Sequence, residues 1–147
     1  MKFTILLLMT VAITSAQNKK IDFFGTEFNV NNACTVKESS IKYDKNALIW
    51  TDAPPTIMRG TMISMIKSKL KDKKMKEVRN DDLKATLLKV IWKGKFSQYK
   101  KADNDSIMNF VQLYGDYKNE ERLLIMVYKT SKQEPFRVPA YFDFLVR

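Results

Sequence analysis

The amino-acid sequence predicts an α+β fold: a mainly antiparallel sheet with one long amphipathic helix packed on it and a short C-terminal helix or strand. Three observations carry that expectation. Apolar and polar side chains alternate over residues 88–97, as a half-buried strand requires, and two further β-rich runs occupy residues 107–117 and 122–130. A stripe of apolar residues spaced three and four apart occupies residues 57–71, directly behind a double proline. The strand-like runs are separated only by short turn signals, "ADNDS" and "KNEE", which favours direct antiparallel pairing.

The chain opens on a segment expected to be absent from the folded protein. From Phe3 to Ile13 it is apolar apart from Thr4 and Thr10, with the cation Lys2 before it and the small residues Ser15 and Ala16 after it. That is the profile of a signal peptide. The run covers eleven positions, where a membrane span needs about 20. Thr14 and Ala16 stand three and one residues before a cut between Ala16 and Gln17. Residues 1–16 are therefore expected to be a cleaved leader, and residues 17–147 a single α+β domain that is periplasmic or secreted. The alternative for this segment is a buried N-terminal strand or helix. No later segment has the apolar length of a span, so the protein is not expected to be membrane-spanning.

"FFGTEFNV", "CTVKESSIKYD" and "ALIW" come next, with aromatic and β-branched residues separated by polar ones, and predict two or three short strands. "TDAPPT" interrupts them, because neither Pro54 nor Pro55 can donate a backbone hydrogen bond. The helix over about 57–71 follows, with Thr56 as N-cap and Met58, Met62, Met65, Ile66 and Leu70 as its apolar stripe. Lys69 projects onto the same sector and is expected to bury its stem. In "LLKVIWKGKFSQY" one strand is predicted, with Leu88, Val90, Trp92 and Phe96 inward and Lys89, Lys93, Lys95 and Ser97 outward. "IMNFVQLYGDY" and "RLLIMVYKT" form a hairpin across "KNEE". In the tail, Pro139 precedes Tyr141, Phe142 and Leu145 at helical spacing, so a short helix is expected; alternation of Phe142, Phe144 and Val146 leaves a strand as the alternative.

This order of elements resembles the PsbP-like group of small exported or lumenal proteins, with early strands leading to "IWTDAPP", a helix, a three-stranded return and an amphipathic C-terminal segment. The resemblance is one of element order over most of residues 17–147, and no functional residue is carried across it. It implies an α/β sandwich acting as an accessory or binding subunit.

Composition narrows the chemistry. The chain has no histidine, which removes Ser/His/Asp and Cys/His systems and the usual zinc sites. Its four glycines, Gly25, Gly60, Gly94 and Gly115, stand singly, so no phosphate loop or dinucleotide fingerprint can be built. Asp103 and Asp105 resemble the start of a calcium loop, but Ile107 and Tyr114 stand where ligands belong. The adjacent acids Asp81 with Asp82 and Glu120 with Glu121 point to opposite faces of an extended chain and make no acid/base dyad. No enzyme activity, cofactor or metal is expected. The single cysteine, Cys34, cannot form an internal disulfide and is read as a small buried hydrophobe.

What remains is charge. Loss of Lys2 with the leader lowers the formal net charge from +10 to +9. The stretch "KSKLKDKKMKEVR" holds Lys67, Lys69, Lys71, Lys73, Lys74, Lys76 and Arg79 against Asp72 and Glu77, a net +5. Read functionally it is a docking patch for an acidic protein face, an anionic lipid or a polysaccharide; read blandly it is a solvated helix end whose lysines complement the C-terminal dipole. Export argues against genomic DNA as a partner. The expected function is thus an exported, non-catalytic binding or accessory protein. Two alternatives stand beside it: a carrier of an apolar small molecule in a groove formed by Met58, Met62 and Met65 between helix and sheet, and a partner protein that neutralises a toxin.

Overall fold

The computed structural model describes residues 19–147, so the expected leader at 1–16 lies outside the described residues. Nine strands and two helical segments follow in order. β1 (Lys19–Phe23) and β2 (Thr26–Val30) form a separate hairpin. β3 (Thr35–Lys37), β4 (Ser40–Tyr43) and β5 (Asn46–Asp52) form one wing of the main sheet, where two or three early strands in all were expected. α1 (Thr56–Asp72) crosses to β6 (Met75–Leu87), and β7 (Val90–Lys101), β8 (Ile107–Tyr117) and β9 (Glu120–Thr130) complete the sheet. A 3-10 helix, Ala140–Val146, closes the chain behind Pro139, which takes the expected tail to helix and away from strand.

The main sheet is antiparallel throughout, in the order β3-β4-β5-β9-β8-β7-β6. Because β5 borders β9 whereas β6 lies outside β7, α1 has to pass over three strands. Two-residue turns join most neighbours. Lys118–Asn119 and Leu88–Lys89 both carry positive φ at each residue, 52° and 63° in the first, 52° and 61° in the second. That geometry matches the right-handed twist of the strands it joins.

Side-chain alternation divides the sheet into two unlike faces. On the first, the β1–β2 hairpin and the 3-10 helix cover Ile41, Leu48, Trp50, Trp92, Phe96, Val111, Leu113, Leu124 and Met126. Phe23 of β1 is fully buried there, with the rings of Phe24, Trp50, Tyr117 and Phe144 centred 4.8–5.7 Å away. Gly115 is required for this packing, since a Cβ would come within 2.6 Å of the Trp92 ring. On the second face α1 covers a smaller cluster of Leu70, Tyr99, Phe110, Leu123 and Ile125.

Several expectations are corrected by tertiary contacts. The strand expected from Leu88 starts later, at Val90: Leu88 and Lys89 are the turn between β6 and β7, and the Leu88 amide donates to Leu145 O at 2.8 Å. β6 itself was hidden. It is an edge strand with a register shift between Glu77 and Arg79, and a shift of one residue moves later side chains to the other face, which scrambles the alternation. Thr56 is the first residue of α1 and makes no side-chain cap; Pro55 holds the N-cap position.

The apolar stripe of α1 is also turned. Arg59, Met62, Ile63, Ile66, Lys67 and Leu70 face the sheet, whereas Met58, Met65 and Lys69 are exposed, a rotation of roughly 60° from the expected stripe at about 100° per residue. Arg59 supplies the reason. Its guanidinium donates to Pro54 O at 3.1 Å, pairs with Glu121 and lies 4.3 Å over the Tyr114 ring, so the helix side carrying it is drawn down. Met58 and Met65 are thereby lifted out, 55% and 61% exposed, and no groove forms from Met58, Met62 and Met65 together.

Candidate functional site: a lysine-rimmed groove

The ends of β4, β7 and β9 and the starts of β6 and β8 meet at one end of the helix-covered face. Register pairs show why: Met75 faces Lys101, Met108 faces Lys129, and Lys42 faces Ala47, which faces Val127. The last turn of α1 stops above them. Lys73 caps it, donating its amide to Leu70 O at 3.2 Å, and Lys74 turns the chain with φ 57° into β6.

A groove of about 390 Å³ lies between these parts. Leu70, Met75, Ile107, Met108 and Val127 supply its apolar lining. Lys42, Lys45, Lys73, Lys101 and Lys129 surround them, with Asp44 the one acid among the lining residues. The apolar members are buried or half-buried, whereas the lysines are half-buried or exposed, so polarity rises from floor to rim. Among the described residues none of these five lysines takes part in an ion pair. Five cations against one acid outweigh the helix C-terminus, which contributes only about half a negative charge.

The cations expected at the helix end are not one surface. Lys73 alone lines the groove. Lys69 and Lys71 are exposed on α1, Lys74 is in the turn, and Lys76 is exposed on β6. Lys67 is half-buried, 3.9 Å from Glu77. Arg79 lies on the opposite face, paired with Asp81 and 5.4 Å over the Phe96 ring. Conversely, Lys42, Lys45, Lys101 and Lys129 had no signal in the sequence, because only strand pairing brings such distant positions together.

Other polar groups have structural engagements. Asp82 pairs with Lys95 at 2.6 Å and Glu120 with Arg122 at 3.2 Å, so the adjacent acids are each tied to separate cations. Cys34 is fully buried, and that burial pushes its thiol pKa up, away from thiolate chemistry. On the hairpin-covered face Gln98 donates to Asn109 Oδ1 at 2.8 Å and to Glu134 O at 2.9 Å, fastening residues 131–139 to the sheet. Tyr128 of the same face is pushed up to about 12, burial being the main cause. The pKa of Tyr99, in the cluster beneath α1, is raised by burial and then by the charge of Glu77.

Among the described residues, no helix is long and apolar enough to cross a membrane. No family model, curated protein or solved structure matches the chain.

Proposed function

We propose that this is an exported, non-catalytic binding or accessory protein that contacts an acidic partner through the cations of its helix-covered face. The observation that carries the reading is the rim of Lys42, Lys45, Lys73, Lys101 and Lys129, none of which is in an ion pair among the described residues and which together outnumber the single acid beside them, Asp44. Cations gathered around one groove raise its potential, and an arriving anion is drawn to it. Lys69, Lys71, Lys74 and Lys76, exposed on the adjoining helix end and strand, extend the attraction beyond the groove. The absence of histidine supports recognition over catalysis, and the leader profile of residues 1–16 supports work in the periplasm or outside the cell. In this reading α1 is an amphipathic cover that positions Lys73 over the sheet.

Ionic strength supplies the test. Binding to immobilised poly-glutamate is expected to weaken steeply as salt rises, since the screening length falls from about 10 Å at 0.1 M to about 3 Å at 1 M. The combined substitution Lys73→Gln, Lys101→Gln and Lys129→Gln is expected to remove most of the salt-sensitive part. Affinity that ignores both salt and the triple substitution would refute the electrostatic reading.

A second reading, the carrier of an apolar small molecule, draws its support from the groove floor of Leu70, Met75, Ile107, Met108 and Val127.

A further inference from the structure

We infer that the groove takes one molecule of a free anionic amphiphile, a carboxylate or phosphate head on a single alkyl chain, with the chain on the floor and the head among the lysines. The inference rests on the proposed recognition of an acidic partner and names its chemistry. Two properties of the groove point to it together. The floor is made from Leu70, Met75, Ile107, Met108 and Val127, and its two methionines have flexible, polarizable thioethers that adapt to a chain. The rim is cationic on several sides, with Lys42 and Lys45 from the β4–β5 turn region, Lys73 from the helix end, Lys101 from β7 and Lys129 from β9.

Each simpler occupant satisfies only half of this. A purely apolar molecule would cover the floor and leave the lysine charges uncompensated beside a drier, lower-dielectric site. A small inorganic anion would meet the lysines and leave the apolar floor wet. A polyanion or a bilayer headgroup reaches the rim, but the floor is concave and lies beneath it. The volume of about 390 Å³ is near the lower end of ligand sites, which suits one chain of roughly ten carbons better than two.

The test is calorimetric titration of the purified protein with dodecanoate below its micelle concentration, set beside acetate, poly-glutamate and phosphatidylglycerol vesicles. Dodecanoate is expected to bind one per chain, at least tenfold tighter than acetate, and to raise Tm, as any ligand selective for the folded state must. Lys101→Gln with Lys129→Gln is expected to weaken dodecanoate at least tenfold. Met108→Gln is expected to weaken dodecanoate by a larger factor than poly-glutamate, which separates the floor from the rim. Binding of several dodecanoates per chain with a fall in Tm would mark surfactant action and overturn the inference. So would vesicle binding without dodecanoate binding. If poly-glutamate binds and dodecanoate is no better than acetate, the amphiphile is wrong and the acidic-partner reading stands; if neither binds, both are wrong.

Discussion

The two faces of the main sheet solve the same problem to different depths. On the hairpin-covered face, Phe23, Trp92, Phe142, Phe144 and Leu145 have no measurable exposure, and the Trp92 indole N–H donates to Leu87 O at 3.0 Å. On the helix-covered face Leu70, still 6% exposed, is the one buried residue of α1, and Ile57, Met58 and Met65 of the same helix are exposed. The first face carries the packing that holds the sheet together. The second can therefore keep a groove and tolerate unpaired lysines, because little of the stability depends on its being filled. Hydrophobic stabilisation scales with apolar area removed from water, and the aromatic residues of the first face remove the most.

Substitution offers the largest contrast. Phe23→Ala on the first face is expected to cost about 3–5 kcal/mol, since the cavity left among four rings cannot collapse easily. Leu70→Ala on the second is expected to cost about 2 kcal/mol, because the helix end can settle into the groove. Denaturant midpoints measure both, and equal losses would break the comparison.

A smaller effect sharpens it through pH. Tyr128, inside the first face, has its pKa pushed up to about 12 from the ordinary 10.0, so the folded state holds the phenol proton more tightly than the unfolded chain. Its contribution is complete below the unfolded value and is lost as pH rises through the folded one. Wild-type stability measured against Tyr128→Phe should therefore decline between about pH 10 and about pH 12, relative to the gap at neutral pH, while the lysine titrations common to both proteins cancel. A constant gap would mean that Tyr128 is not enclosed as described.

The smallest effect belongs to the outer side of α1. Met58→Gln with Met65→Gln is expected to change stability by no more than about 0.5 kcal/mol, as exposed positions without specific contacts do. A thermal melt checks this, and a large loss would show that the methionines are covered.

Much of the first face was legible in the chain. Trp92 and Phe96 share a parity opposite to Lys93 and Lys95, and the structure buries the aromatics and exposes the lysines. β8 and β9 follow the two β-rich runs closely. The second face was much less legible. Its helix was found, but its inward side was set by Arg59, a cation whose partners Pro54, Glu121 and Tyr114 come from three places in the sequence. β6 was concealed by its bulge, and the Leu88–Lys89 turn by lacking the Asn or Gly such turns favour. There a hydrogen bond to Leu145 O accompanies a conformation that local preference would not choose.

By itself, the sequence determined the properties that depend on near neighbours: which runs alternate, where the double proline breaks them, where one helix lies, and which catalytic chemistries lack their residues. Tertiary structure alone decided how the helix is rolled and which cations stand together. Lys42, Lys73, Lys101 and Lys129 share a groove because antiparallel pairing brings the ends of separate strands to one edge beneath a helix terminus. Charge acts through space over about a screening length, and distance along the chain says little about distance across a sheet.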